Sequence, residues 1–400
     1  MVSVLSEKLT LSAQEEILDE CINLGISLSS ALSKRGLSYD SLRYREYCDS
    51  TSWKSCNETL DDKEKLPPTI PAVSFFSGAG GLNIGFEYAG FDNIVSIECN
   101  EVFCNTLRRN YPDKIVIGPP HHKGDVRERE VLTSILNDII GGDKPFDGVF
   151  HGGPPCQPFS IASNQRFSKE SDNFKRQGFS DEEKGELLFD YLWYIKRFLP
   201  KAFLIENVAG ISGCDTDGKI QAALDEIIEL GYEILPPQIV NAANYGVPQN
   251  RIRWIIIGTR TGKPINFPSP AEYVSTCYDV FSRNIVGTEN HQTREHTAES
   301  VKRYMQLAYG VRDKLGRVDR LNPYLPSKTV IAGGTKGGGR SHLHPYSPRT
   351  ISVRECARLQ TFPDNYIFTG ATARQFTQVG NAVPPLLAYK IAMQIREGIK

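Results

Sequence analysis

No apolar run in these 400 residues approaches the roughly 20 that a membrane helix requires, and no positively charged apolar leader opens the chain. Membrane-spanning and secreted classes are set aside, and a cytoplasmic location is expected. The nine cysteines are scattered, with no Cys-x-x-Cys pair. That pattern offers neither a zinc ligand set nor a disulfide framework, so no metal is expected and the thiols read as reduced. Tandem repeats and long low-complexity tracts are lacking too. The net charge is only −1, so any electrostatic bias must be local. What remains is a chain longer than one average domain, with 40% hydrophobic residues, enough for a sizeable core.

Against that background Gly152-Gly153-Pro154-Pro155-Cys156-Gln157-Pro158-Phe159-Ser160 stands out, followed by Glu206-Asn207-Val208. Each follows an apolar, strand-like run, Phe146 to Phe150 and Ala202 to Ile205. In an open α/β sheet, chemistry collects where strands end. Paired glycines and prolines before Cys156 make a rigid, irregular loop that suits presentation of a thiol. An isolated cysteine is more often a small buried packing residue. The nine-residue setting, joined to a carboxylic acid, reverses that balance.

Upstream, Ala72 to Phe76 reads as a buried strand running into Ser77-Gly78-Ala79-Gly80-Gly81, and Leu82 to Ala89 has helical character. Such a turn lets a backbone approach a ligand and aims helix amides at it, although alone it is a weak signal. A second strand, Ile94 to Ile97, ends at Glu98, about 20 residues past the turn, where an acid binds a ribose hydroxyl pair in dinucleotide folds. Asp125, in Gly124-Asp125-Val126, supplies another acid at an expected strand end. Further on, Gln249, Arg251 and Arg253 precede or enter the apolar strand Trp254 to Gly258. On an extended segment these three project to one face, suiting a phosphate, a base carbonyl or a carboxylate. Ser352 is expected to start a helix that stops before Pro363, and Pro384-Pro385 to open another through Leu386, Leu387 and Ile391.

Pro154-Pro155-Cys156-Gln157 with Glu206-Asn207-Val208 resembles the catalytic core of the DNA (cytosine-5) methyltransferases, and the other segments follow in the order of that family over residues 72 to 388. The resemblance implies an α/β, Rossmann-like domain that binds S-adenosylmethionine, with a smaller target-recognition domain and a helical N-terminal extension. It implies cofactor contacts from Phe76, Gly78, Gly80, Gly81, Leu82, Pro154 and Asn381, with Glu98 on the ribose and Asp125 on the adenine amino group. Cys156 and Glu206 become catalytic, with Arg251 and Arg253 beside a flipped cytosine, while Gln157, Ser160 and Gln249 face the substrate. One departure is recorded: Ser74 stands where the family usually carries an acid. The partners implied are double-stranded DNA and, functionally, a restriction endonuclease; a monomer associated with the nucleoid is expected.

Two stretches lie outside the shared motifs. Residues 1–70 hold 8 Lys/Arg against 12 acids, a balance of −4, which argues against a nucleic-acid arm. Ser12-Ala13-Gln14-Glu15 resembles a capping box before a helix, and the extension ends in a charged linker. Residues 261 to 350 carry 13 Lys/Arg and 7 Asp/Glu, a balance of +6. Basic residues near phosphates dominate affinity, and Lys336 and Arg340, in a glycine-rich run, suit a loop that enters DNA. The expected division is 1–70 extension, 71–260 catalytic, 261–348 recognition and 349–400 completing the catalytic domain. A transfer-RNA cytosine methyltransferase and a catalytically silent binding paralogue are the alternatives; the basic interval argues against the first, the intact Cys156, Glu206 and Arg253 set against the second.

Overall fold

The computed structural model describes residues 8–46, 59–142, 144–155, 187–213, 215, 218–263, 265–331 and 342–400. They fall into two compact units, one of Asp61–Tyr245, Arg251–Ala271 and Ala382–Lys400, the other of Met1–Leu60, Gly246–Asn250 and Glu272–Asn381. The segment 349–400 splits after Asn381, and the N-terminal extension clusters with the residues expected to recognise DNA.

The first unit is built on strands β1 (Ile70–Phe75), β2 (Phe91–Ile97), β3 (Ile115–Ile117), β4 (Val149–Gly152), β5 (Ala202–Val208), β6 (Glu233–Ile234), β7 (Gln238–Asn241) and β8 (Ile252–Thr259). Their order is β3-β2-β1-β4-β5-β8-β6, with β7 also pairing β8. The β3-to-β5 part is parallel, and β8 runs antiparallel to β5. This is the Rossmann-like α/β sheet that the sequence predicted. Parallel strands are covered on both faces and therefore read as apolar runs. Phe75, Phe150, Tyr191, Tyr194 and Phe198 form part of the core on one face. On the other, the helix Gly81–Tyr88 packs against the terminal helix Pro385–Ile399, which opens at Pro384-Pro385 as expected. A Cβ on Gly85 would strike Ala388 and the Tyr389 backbone, so the two helices meet where a glycine removes a side chain.

The second unit joins short helices to a three-stranded sheet, β9 (Arg312–Asp313), β10 (Val318–Arg320) and β11 (His342–Leu343), in the order β11-β10-β9. Ser352 caps the helix Val353–Leu359 in a full capping box with Glu355. The N-terminal helix, Leu11–Leu24, is capped by Thr10, whose Oγ1 accepts from Ala13 N, and not by Ser12. Gln14, expected inside that box, is instead fully buried and bonded to the Arg43 backbone. Among the described residues no helix is long and apolar enough to cross a membrane.

Candidate active site

The turn after β1 is held in left-handed backbone: φ is +50° at Phe76, +54° at Gly78 and +78° at Gly80. Phe76 adopts this without being glycine, and its ring stands edge-on to Tyr191. Gly78 N donates to Glu98 Oε2 at 2.8 Å, and Asn100 N donates to Glu98 Oε1 at 2.7 Å. Glu98 therefore ends β2 as a buried carboxylate whose orientation two backbone amides fix. Burial raises its pKa, while these amide bonds act in the opposite direction.

Gly118, which sequence reasoning passed over, and Gly124 let the chain after β3 pass against the Glu98 backbone; a Cβ on either would strike Glu98 O. Leu82 is buried behind the turn, and a Cβ on Gly81 would strike Val383 O. Beside Gly78 space is open, since a Cβ there would meet nothing nearer than Phe76 O at 3.9 Å. Asp125 lies in the loop past β3, not at the strand end. Arg127 Nη2 sits 2.6 Å from Asp125 Oδ2, and this pairing is the first cause of its lowered pKa.

Ser74, the departure from the family pattern, belongs to a neutral buried network. Ser77 Oγ donates to Ser74 Oγ (2.8 Å), and Ser74 Oγ to Asn83 Oδ1 (2.8 Å). Asn83 Nδ2 donates to Ser96 Oγ (2.9 Å), while Asn83 O accepts from Asn93 Nδ2 (2.9 Å). That bond fixes the Asn93 amide, so its Oδ1, 2.7 Å from His151 Nε2, accepts the imidazole proton. Burial holds the His151 pKa down to about 3, and Phe86 stacks on its ring at 4.2 Å. The network links the turn after β1 to β4, the strand that leads to Pro154, Pro155 and Cys156.

Glu206, on β5, and Arg253, on β8, meet across antiparallel strands, with Arg253 Nε 2.7 Å from Glu206 Oε1. A Cβ on Gly153 would lie 2.9 Å from Glu206 Oε2, so the residue after β4 passes directly over the acid. Asn207 Nδ2 donates to the carbonyl of buried Pro154 at 3.4 Å. The structure thus gathers Glu206, Arg253, Gly153 and Pro154. Arg251 is buried next to β8 and alternates with exposed Ile252, as period two requires.

Gln249 is corrected. It is fully buried, its Nε2 donates to Gln360 Oε1 (2.9 Å) and its Oε1 accepts from Val330 N (2.8 Å). Alternation placed it on the right set of positions, but that side faces the interior of its own unit, so Gln249 anchors backbone in place of facing a substrate. Asn381 is exposed at the end of the helix Thr372–Asn381 and belongs to the second unit. Cys156, Gln157, Ser160, Lys336 and Arg340 lie outside the described residues.

A carboxylate gripped by a guanidinium beside a strand-end loop suits stabilisation of a developing charge, and an amide-lined turn with a buried acid suits a ribose-bearing ligand. The family model for C-5 cytosine-specific DNA methylase matches residues 70–397. Type II methyltransferase M1.HphI of Haemophilus parahaemolyticus is 33% identical over 345 residues, spanning 81% of this chain and 86% of that protein. Type II methyltransferase M.PspPI of a Psychrobacter strain is 31% identical over 374 residues, spanning 86% and 82%. Among solved structures, a protein described as a DNA modification methyltransferase from an E. coli prophage superposes with a TM-score of 0.67 at 25% identity, covering 82% of this chain and 99% of that one. The methyltransferase EhMeth of Entamoeba histolytica, at 17% identity and a TM-score of 0.56 over 83% of this chain and 99% of that one, shares the fold. By motif, sheet order and relatedness the chain belongs to the C-5 cytosine-specific DNA methylase family and is a DNA (cytosine-5) methyltransferase.

Proposed function

We propose that this protein methylates carbon 5 of a cytosine flipped out of a short, specific duplex sequence, using S-adenosylmethionine, and that the modification shields DNA from a cognate restriction endonuclease. The Glu206–Arg253 pair beside Gly153 and Pro154 carries the reading. Type II methyltransferases among the relatives support the pairing with an endonuclease.

Cytosine is a poor nucleophile at carbon 5, so the ring must first gain electrons. The Cys156 thiolate adds to carbon 6. Negative charge then develops toward ring nitrogen 3, where Glu206 Oε2 supplies a proton while Arg253, on Oε1, stabilises the carboxylate left behind. S-adenosylmethionine, when bound, supplies an electrophilic sulfonium methyl group to carbon 5. A solvent base takes the carbon 5 proton, the Cys156 sulfur leaves as thiolate, and ring nitrogen 3 returns its proton to the Glu206 carboxylate, which restores the ring. A stacked base is out of reach of both side chains, hence the flipped nucleotide, which Arg253 helps to hold, whereas Arg251, expected beside it, is fully buried and lies behind the contact. Support for this ligand comes from the turn: open space lies beside Gly78, and the buried Glu98 carboxylate, oriented by Gly78, Asn100 and Cys99, borders it. Asp125 is the acid proposed to meet the adenine amino group.

The test is a duplex carrying 5-fluorocytosine at a site mapped by bisulfite sequencing, incubated with S-adenosylmethionine. A denaturation-resistant adduct that Cys156→Ser abolishes is expected. Absence of an adduct with the intact protein, or methylation confined to transfer RNA, overturns the reading.

A further inference from the structure

Residues 8–46 precede the family match at 70–397, yet they share a compact unit with 272–381. They do not build a core of their own. Ile17, Leu18 and Leu32 pack in one apolar cluster with Ala298, Val301 and Met305.

Two buried arginines from the C-terminal part of that unit are closed by this segment. Arg349, 1% exposed, grips Glu355 through Nη1 (2.8 Å) and Nη2 (2.7 Å) and places Nε 2.7 Å from Asp40 Oδ1. Arg320, also 1% exposed, ends β10 with its guanidinium 3.5 Å from the Tyr44 ring centroid and 4.0 Å from that of Tyr309. It donates to Glu46 O and Pro345 O, and Tyr44 OH donates to His344 O at 2.9 Å. Lys8 Nζ completes the seam, donating to Asp40 O, Leu42 O and Ser347 Oγ.

What this seam supports is the β9–β10 hairpin. Gly316 N donates to Asp313 Oδ2 at 2.6 Å, fixing the turn, and Lys314, Leu315 and Arg317 stand exposed on it. Two cations on a fixed turn fit phosphates. Residues 8–46 hold 5 Lys/Arg against 6 Asp/Glu, a balance of −1, and so bring DNA no net attraction of their own; an effect on binding passes through the groups they hold.

We propose that residues 8–46 are a built-in support of the duplex-binding surface, in which Tyr44 and Asp40 are positioning residues: they fix Arg320 and Arg349 so that the Lys314–Arg317 turn meets DNA phosphates in one register. The proposal rests on the duplex-DNA reading above. A nearly neutral segment that closes over two buried arginines acts on recognition without touching the nucleic acid.

The experiment uses the full chain and an unmethylated duplex containing the mapped site, with titrations at several salt concentrations. Tyr44→Ala is expected to weaken duplex binding about tenfold and to flatten the salt dependence by about one phosphate contact. S-adenosylmethionine affinity should stay within about twofold, since the cofactor turn belongs to the other unit. Tyr44→Phe, which keeps a ring over Arg320, should restore binding, and Lys314→Glu should lose the same salt slope. Should Tyr44→Ala fail to fold, Asp40→Asn, which leaves the Arg349–Glu355 pair intact, carries the same expectation. Unchanged duplex affinity, an equal loss of cofactor and duplex affinity, or an unaltered salt slope in Lys314→Glu overturns the proposal. A wild-type protein that does not methylate duplex DNA overturns the underlying reading; wild-type methylation with an unaffected Tyr44→Ala variant overturns this inference alone.

Discussion

Arg253 holds Glu206 from two positions along the neighbouring antiparallel strand, Nε to Oε1 at 2.7 Å, so that the opposite carboxylate oxygen faces Gly153. Both side chains are mostly removed from water, and each orients the other. A guanidinium can occupy one carboxylate oxygen in a fixed plane, which a flexible ammonium does not.

Arg253→Ala is therefore expected to lower the single-turnover methylation rate by about 10²-fold, the scale of losing one preorganised charge-stabilising donor. Arg253→Lys should fall between, keeping the charge without the planar fork. Cofactor affinity should hold within about twofold in both. A wild-type rate in the alanine variant would remove the pair from the chemistry.

The glycines of the turn separate two physical demands. Gly78 has φ +54° with open space around it, so Gly78→Ala meets only backbone strain, about 1–2 kcal/mol. Gly81→Ala instead drives a methyl into the Val383 carbonyl. Since the obstruction is backbone, the two helices must separate, and a further loss of about 1–3 kcal/mol is expected for overpacking. Urea unfolding should rank Gly81→Ala below Gly78→Ala; the reverse order would show that the close approach at Gly81 relaxes at less cost than the left-handed backbone at Gly78.

Much of the sheet was legible because buried parallel strands are continuous apolar runs; β5 starts at Ala202 and β8 covers Trp254 to Gly258, as read. The Ser352 cap was legible too, since a capping box is local chemistry. Gln249 was misplaced because alternation tells which residues share a face and is silent on which face is covered. The packing of residues 8–46 left no local trace, as Asp40 finds Arg349 309 positions away and Tyr44 finds Arg320 276 positions away. For the His151 network a signal did exist: Ser74, Asn93, Ser96 and His151 are polar residues on strands otherwise built to be buried, and such groups must find one another.

Acid should destabilise the fold well above the range where carboxylates titrate. His151, His296 and His344 have pKa values lowered to about 3, 4 and 3, burial being the largest cause in each. Above 6.5 both states hold these rings neutral. Below it the unfolded chain takes up protons that the folded sites refuse, so stability falls with pH until the folded values are reached. Each ring contributes at most about 1.4 kcal/mol per pH unit. Asp40 adds to the loss at still lower pH: burial alone would raise its pKa, but Arg349, His344 and Lys8 together depress it, so its contribution fades as pH falls below the unfolded carboxylate value. Denaturant unfolding between pH 7 and 4.5 should show a shallower slope for His151→Gln, which keeps a donor for Asn93 Oδ1, by about one proton. An unchanged slope would mean that His151 titrates normally in the folded protein.

Glu98 makes the sharpest separation between cofactor binding and chemistry. Its two oxygens accept from Gly78 and Asn100, so the carboxylate shapes the turn, and under the proposed function it also accepts from the ribose. Glu98→Ala strands two amides and removes the acceptor together, and hydrogen bonds to a charged group contribute about 1.5–3 kcal/mol. The dissociation constant for S-adenosylmethionine should rise at least about tenfold, on the scale of 1.4 kcal/mol per decade. Glu98→Gln keeps one carbonyl acceptor of nearly the same shape and should lie between wild type and alanine. Calorimetric titration of the cofactor checks the order, and the methylation rate at saturating cofactor should fall far less than for Glu206→Gln. If Glu98→Ala binds S-adenosylmethionine normally but turns over slowly, the buried acid at the end of β2 acts on the reacting base and the assignment of the turn to the cofactor is wrong.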